Sequence, residues 1–341
     1  MSATTATEGD FDHPNQHLRR SVIIALYFAF ILSTVAVGLR LLARRVTGSR
    51  LHLDDYLILI ALLFKYGCSI GVVIVLFNGL GSHITMIPKS NLTVYFKIGW
   101  SNSIVYTGCI AFTKLSILAM YKRLFTARPM LITANILSAI VILWALAVSL
   151  AGVFNCLPVN RFWDRTVPGT CMDTVSFYYG QQIPNILTDL VLLVMPLPSV
   201  WSLPISRAQR GLLTGVFAVG GLTLAFDVIR LVAMIDLMHA GPDITYNQVP
   251  VAVWTCIEAA VGITAACLSH LRPLFNIRFW AVPSPDSKRP LGSPLSGGWS
   301  TEGTLVDVAE AEAYRSQTHT HTQTQHSILT RHSVCVEVSK A

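Results

Sequence analysis

SVIIALYFAFILSTVAVGLRLLA, residues 21–43, holds one arginine and no acidic residue. A helix of about 20 such residues crosses a ~30 Å hydrocarbon core. Six further apolar stretches follow, at roughly 56–77, 94–120, 131–155, 176–200, 211–238 and 250–271. Together they predict an all-α membrane protein, a seven-transmembrane helix bundle whose main partner is the lipid bilayer. Composition agrees: hydrophobic residues make up 52% and charged residues 13% of the chain, and the mean hydropathy is +0.55. A soluble domain usually carries about 25% charged residues. A single domain is expected at 21–275, with a short polar extracellular head at 1–20 and a disordered cytoplasmic tail at 276–341. The net charge of +7 reads as basic residues held against an anionic inner leaflet, and no nucleic-acid partner is expected.

Loop charges set the orientation. Loops one, three and five carry Arg44, Arg45 and Arg50, then Lys122, Arg123 and Arg128, then Arg207 and Arg210. Loop two has Lys89, loop four has Arg161 and Arg165, and loop six has no Lys or Arg. The excess of basic residues places loops one, three and five in the cytoplasm, the N-terminus outside and the C-terminus inside. The start of the chain lacks the cleavage pattern of a secretory signal, so the first span is expected to stay. The sequon Asn91-Leu92-Thr93 falls in outer loop two and makes Asn91 a possible glycosylation site. Cys156 and Cys171 bracket outer loop four, where a disulfide and a pair of free thiols both suit the spacing. Cys68, Cys109, Cys256 and Cys267 lie in spans and read as small buried hydrophobes.

The spans also contain charges: Lys65 in span two, Lys97 and Lys114 in three, Asp189 in five, Asp227, Arg230 and Asp236 in six, and Glu258 in seven. A charge at mid-membrane costs about 2.5–3.5 kcal/mol on insertion scales, so it faces the bundle interior and takes a partner. Lys97 and Asp236 are near span ends, within reach of the interface. Asp227 and Arg230, three apart, share a helix face, which makes them a candidate local salt pair. Two readings of the set stay open: a polar cavity open to the outside, or an ion-pair network that fixes helix register. Pro184 marks a distortion in span five, and Pro196 and Pro198 mark its end. Trp100, Trp201 and Trp254 read as interfacial anchors. Asp54-Asp55 reads as an acidic helix start rather than a metal-binding pair.

In order along the chain stand Asp54-Asp55-Tyr56, Gly79-Leu80-Gly81 with His83, Lys114-Leu115-Ser116-Ile117-Leu118 leading to Tyr121, Arg123 and Phe125, and Cys156, Pro158, Trp163 and Cys171 in loop four. Asn185, Asp189, Pro196, Pro198 and Trp201 follow, then Arg230, Trp254, Glu258 and Leu271-Arg272-Pro273-Leu274. Each motif is weak alone, but the ordered set resembles the fungal rhodopsin-like domain family over residues 20–275. That family includes pathogenesis-related receptor-like proteins and a membrane protein of the satratoxin cluster. The chain departs from it at Ser82, where a basic residue is common, and at Asp227, where a small polar residue is usual.

The family name suggests retinal, but span seven holds no lysine for a Schiff base, so no retinal and no other cofactor are expected. Alternating histidines in the tail, His319, His321, His326 and His332, read as solvated, and no metal site is expected. No P-loop, G-x-S-x-G or zinc-helix motif is present, so an enzyme is not expected. The reading favoured is a receptor-like sensor of an unknown small extracellular ligand, in the plasma membrane, with a cytoplasmic signalling partner. The alternative is a transporter or membrane accessory of a fungal secondary-metabolite pathway. The candidate internal polar site is Lys65, Lys114, Asn185, Asp189, Asp227, Arg230 and Glu258.

Overall fold

The computed structural model describes residues 16–124, 127–164, 166–197, 207–239, 241 and 243–268. The side chains of 207–213 and 216 lie outside this description, as do Trp201, the Leu271–Leu274 motif, and the tail with its histidines. The fold is α1 (Gln16–Val46), α2 (Leu53–Phe77), α3 (Lys89–Leu124), α4 (Arg128–Val153), α5 (Thr174–Val194), α6 (Arg207–His239) and α7 (Ile244–Leu268). Between α4 and α5 the strands β1 (Cys156–Leu157) and β2 (Thr170–Cys171) pair antiparallel, Cys156 opposite Cys171.

Six of these helices, all but α5, are long and apolar enough to cross a membrane, α6 doing so over Phe217–His239. The exception has a structural cause. Gln181, Gln182, Asn185 and Thr188 of α5 are buried, while Ile183, Leu187, Leu190 and Val194 are exposed. Hydropathy averaged along the sequence mixes these two faces, although only the apolar one points away from the protein. The same inversion holds elsewhere: Ile24, Tyr27, Leu63 and Leu143 are each more than 60% exposed, as side chains facing lipid would be.

Each helix packs on its sequence neighbours, and α7 closes the ring by packing on α1. Helix α3 also touches α7, which makes it the central helix of the bundle. Helices α2 and α3 approach closely at Gly71, where an added Cβ would lie 2.5 Å from Asn102 Oδ1. The main core cluster joins Ile58, Cys68, Tyr106, Cys109 and Ile263 of α2, α3 and α7. The helices run past their expected limits: α1 begins at Gln16, inside the expected polar head, and α7 begins at Ile244 rather than 250. Helix α5 ends at Val194, before Pro196. Its start is capped by Asp173, which accepts from Ser176 N at 3.1 Å and Ser176 Oγ at 2.9 Å. These bonds from Ser176 hold the Asp173 carboxyl below the usual carboxylate range.

One end of the bundle is locked by charge. Arg40, fully buried, donates from Nη2 to Asp54 Oδ2 at 2.8 Å and from Nε to Asp55 Oδ1 at 2.9 Å. Its Nη1 donates to Ala266 O at 3.2 Å, which ties α1 and α2 to the end of α7. Arg44 adds a second bond to Asp54 Oδ2 at 3.0 Å, and Ser116 Oγ of α3 donates to Asp54 O at 2.7 Å. The pair Asp54-Asp55 is therefore more than an acidic helix start, although Asp55 also accepts from His52 N at 3.1 Å. Arg44, counted above among the free loop charges, is bound inside the protein.

Removing one partner of a buried ion pair leaves an uncompensated charge and costs about 3–5 kcal/mol. Arg40→Ala is expected to destabilise the protein by that amount, read as the unfolding free energy in a detergent titration. Arg44→Ala should cost less, because its side chain is 12% exposed. Equal effects would show that the guanidinium of Arg40 is not the main tie.

Candidate functional site

The opposite end of the bundle is open. A cavity of about 770 Å³ is bounded by α2, α3, α5, α6 and α7, with the loop between α4 and α5 at its rim. This volume lies in the range typical of small-molecule sites, ~300–1,000 Å³. Its walls are mostly apolar. Tyr95, Phe96 and Trp100 come from α3, Phe177 and Tyr178 from α5, and Met234 from α6. Trp100, expected to be an interfacial anchor, is a wall residue instead; it donates from Nε1 to Gly152 O at 2.7 Å and meets the Trp163 ring edge-on at 6.1 Å.

The rim is built by covalent and local bonds. Cys156 and Cys171 are joined by a disulfide. It staples the β1–β2 pair, and both cysteines line the cavity together with Arg161 and Phe162. Lys97 lies 5.4 Å from the Trp163 ring centroid, so this span-end cation finds a loop aromatic as its neighbour. On the far side of the mouth, Gly79 and Gly81 take φ values of 117° and 87°, a conformation that favours glycine, and they turn the chain into His83. His83 stacks on Tyr246 at 4.8 Å and lies 3.1 Å from Asp243 Oδ2. Gly81 N donates to Thr245 O at 3.0 Å, which pins this turn to the start of α7. Asn91 lies at the same end but in the first turn of α3, so the sequon is helical rather than part of a loop.

Polar side chains form the floor. Arg230 of α6 donates from Nη1 to Tyr106 Oη at 2.6 Å and to Gln182 Oε1 at 2.5 Å, and from Nε to Thr255 Oγ1 at 2.9 Å. Its Nη1 is also 3.3 Å from Glu258 Oε2. Tyr106 in turn donates to Glu258 Oε1 at 2.5 Å, and its ring lies 4.2 Å from the Arg230 guanidinium carbon. One guanidinium thus holds α3, α5, α6 and α7 together. Asp227 is not the partner of Arg230. It accepts from Asn185 Nδ2 at 3.1 Å, and that same nitrogen donates to Glu258 Oε1 at 3.1 Å. The i, i+3 spacing puts Asp227 and Arg230 on one face, but the nearest carboxylate for Arg230 comes from the neighbouring helix.

Below the floor, Lys114 pairs with Asp189 Oδ2 at 2.9 Å and donates to Asn185 O at 2.8 Å and Thr188 Oγ1 at 2.6 Å. Its ammonium is 5.7 Å from the Trp144 ring centroid. Six of the seven expected polar residues therefore form one connected network. Lys65 stands apart: it is buried, and its ammonium donates to Ser69 Oγ at 2.9 Å, with no carboxylate partner among the described residues. Its titratable neighbours are the buried, uncharged thiols Cys68, Cys109 and Cys256. The sequence reading missed Tyr106, Gln182, Thr188 and Thr255. The adjacent amides Gln181 and Gln182 in the middle of a span were a usable signal, whereas Tyr106 and Thr255 are ordinary span residues. Among the described residues, no group of three or more His, Cys, Asp or Glu side chains is arranged to hold a metal ion.

Comparison with known proteins places this geometry in a family. A 302-residue match, 30% identical, links the chain to the polyenoic acids biosynthesis gene cluster protein Ba17b of Metarhizium anisopliae, covering 84% of this chain and 77% of that one. A SAT4 family membrane protein of Emericella nidulans is 30% identical over 58% of this chain and 51% of its own length. The receptor GIN3 of Arthrobotrys oligospora is 22% identical over 74% of this chain and 62% of its own length. No solved structure matches the chain. The family model of the fungal rhodopsin domain matches residues 39–277, and the chain belongs to that family of fungal membrane proteins.

Proposed function

We propose that this protein is a receptor-like sensor that works without retinal, spans the plasma membrane seven times with its N-terminus outside, and binds a small molecule in the open cavity. The observation that carries this reading is the cavity itself, whose floor is the Arg230 network. A ligand resting on that floor would touch the group that ties α3, α5, α6 and α7 together. A preference for one arrangement of those helices would shift the population seen at the opposite face. There Lys122 and Arg123 end α3, next to the Arg40 lock, and offer a surface to a cytoplasmic signalling partner. Counting α5 as the seventh span is supported by its exposed apolar face, and the outer side is supported by the disulfide at the rim, which suits an oxidising compartment.

A second reading draws on the relatives. Several are named for biosynthetic clusters, including those of phomoidride and satratoxin, which favours a transporter or accessory of such a pathway. The two readings separate in one experiment. Fractions of fungal secondary metabolites are titrated against the full chain in nanodiscs, and thermal unfolding is followed. A sensor is expected to gain stability from at least one fraction, about 2.7 kcal/mol at a hundred times Kd, and Ala252→Trp, which sets an indole in the lining one turn from Thr255 and obstructs the approach to the Arg230 floor, should gain none. The same fraction is then sealed in vesicles carrying the protein. Release that depends on the chain would sink the sensor reading and favour transport.

Two substitutions test whether the internal charges serve structure. Lys114→Met should destabilise by about 3–5 kcal/mol because it strands Asp189, while Lys65→Met should be neutral or stabilising because no carboxylate is left behind. The reverse order would assign Lys65 the structural pairing. Cys156→Ser combined with Cys171→Ser opens a loop with a separation of 15 residues, worth about 3 kcal/mol. Loss of ligand stabilisation beyond that cost is expected if the rim shapes the cavity; a purely thermal loss would show that the rim only supports the fold.

A further inference from the structure

The floor of the cavity has an unused donor. Arg230 is buried, and its Nε and Nη1 hydrogens are taken by Thr255, Tyr106 and Gln182. Its Nη2 donates to no described residue, and it is not among the fully enclosed polar atoms left without a partner. Its remaining access is to the cavity that Arg230 lines. A guanidinium nitrogen at the base of an apolar chamber is a strong, directional hydrogen-bond donor.

The charges around it decide what it will accept. Glu258 already lies 3.3 Å from Nη1, so the guanidinium charge has its counter-charge. A second carboxyl, Asp227, is joined to the same Glu258 through the Asn185 amide. A ligand carboxylate would therefore be one more anion at a buried floor whose cation is already matched, and an uncompensated buried charge is costly. A neutral oxygen acceptor takes the charge-assisted hydrogen bond without adding net charge. The rest of the chamber matches an apolar body: Val72, Val75 and Leu80 face the aromatic wall of Phe96, Trp100 and Phe177.

We propose that the cavity selects an uncharged, mainly apolar molecule whose carbonyl, lactone or hydroxyl oxygen is held by Arg230 Nη2. This rests on the reading that the cavity is a ligand site and names the chemistry it takes. Specificity then comes from the floor: the other cation of the lining, Arg161, belongs to the rim, where it donates to Val167 O, so an acid that reaches the floor meets a guanidinium already matched, whereas its neutral, oxygenated equivalent does not need a free cation.

The test uses the full chain in nanodiscs of zwitterionic lipid, with δ-dodecalactone and dodecanoate as probes of equal carbon number. Binding to the wild type is measured by calorimetry, with binding to empty nanodiscs subtracted. The lactone is expected to bind at least tenfold tighter than the carboxylate, and Ala252→Trp should abolish binding of both. The wild-type comparison needs no variant that could misfold. Binding of dodecanoate as tight as that of the lactone, lost in Ala252→Trp, would overturn the neutral-ligand proposal and leave the cavity reading intact. Binding of either probe that Ala252→Trp does not change, or no binding above the empty nanodisc, would overturn both.

Discussion

The bundle depends on satisfying one buried guanidinium. Arg230 of α6 sits where four helices meet, and the other three each supply something it needs: Tyr106 from α3, Gln182 from α5, Thr255 and Glu258 from α7. Away from the cavity, a membrane interior offers no water to complete the set, so the partners of Nε and Nη1 must be in place when the helices pack. The polar residues of α5 follow from this requirement. Gln182, Asn185 and Thr188 deny that helix the long apolar stretch the other six have, and they face inward because the charges of α3, α6 and α7 are there.

A second buried arginine, Arg40, makes the other end different in kind. Two aspartates, a backbone carbonyl and a neighbouring arginine surround it, and α1, α2, α3 and α7 converge on it. One end of the described bundle is thus a knot of charge and the other an open vessel with a stapled rim. Helix α3 runs between them, lending Tyr106 and Trp100 to the vessel and Ser116 to the knot.

The helices were legible in the sequence because an apolar run of membrane length has few other uses. Residues 21–43 and 131–155 could hardly be anything else. The limits of the helices were less legible, since Gln16 and Ile244 continue a helix into polar surroundings where hydropathy no longer marks it. The cost of a buried charge identified the set of interior residues, but not its pairings. Tyr106 meets Glu258 across 152 positions, and Lys114 meets Asn185 across 71. Local spacing favoured Asp227 for Arg230, and tertiary packing chose Glu258. A polar cavity open to the outside was one of the two readings of the charges, but its apolar wall was not legible: it is made of aromatics such as Trp100 and Phe177, whose sequence context is that of any lipid-facing ring.

The division between floor and wall has an evolutionary consequence. The floor side chains are bound to one another across helices, and changing Arg230 disturbs four helices at once. Unlike Val72, Val75 and Leu80, which also pack in the core, the wall residues Met172, Val175 and Met238 line the chamber and belong to none of the buried core clusters. Substitutions there can enlarge, shrink or reshape the space without reopening the question of how the bundle holds together. A scaffold of this kind can diversify across lineages with many small molecules as targets, keeping its skeleton fixed while its appetite drifts.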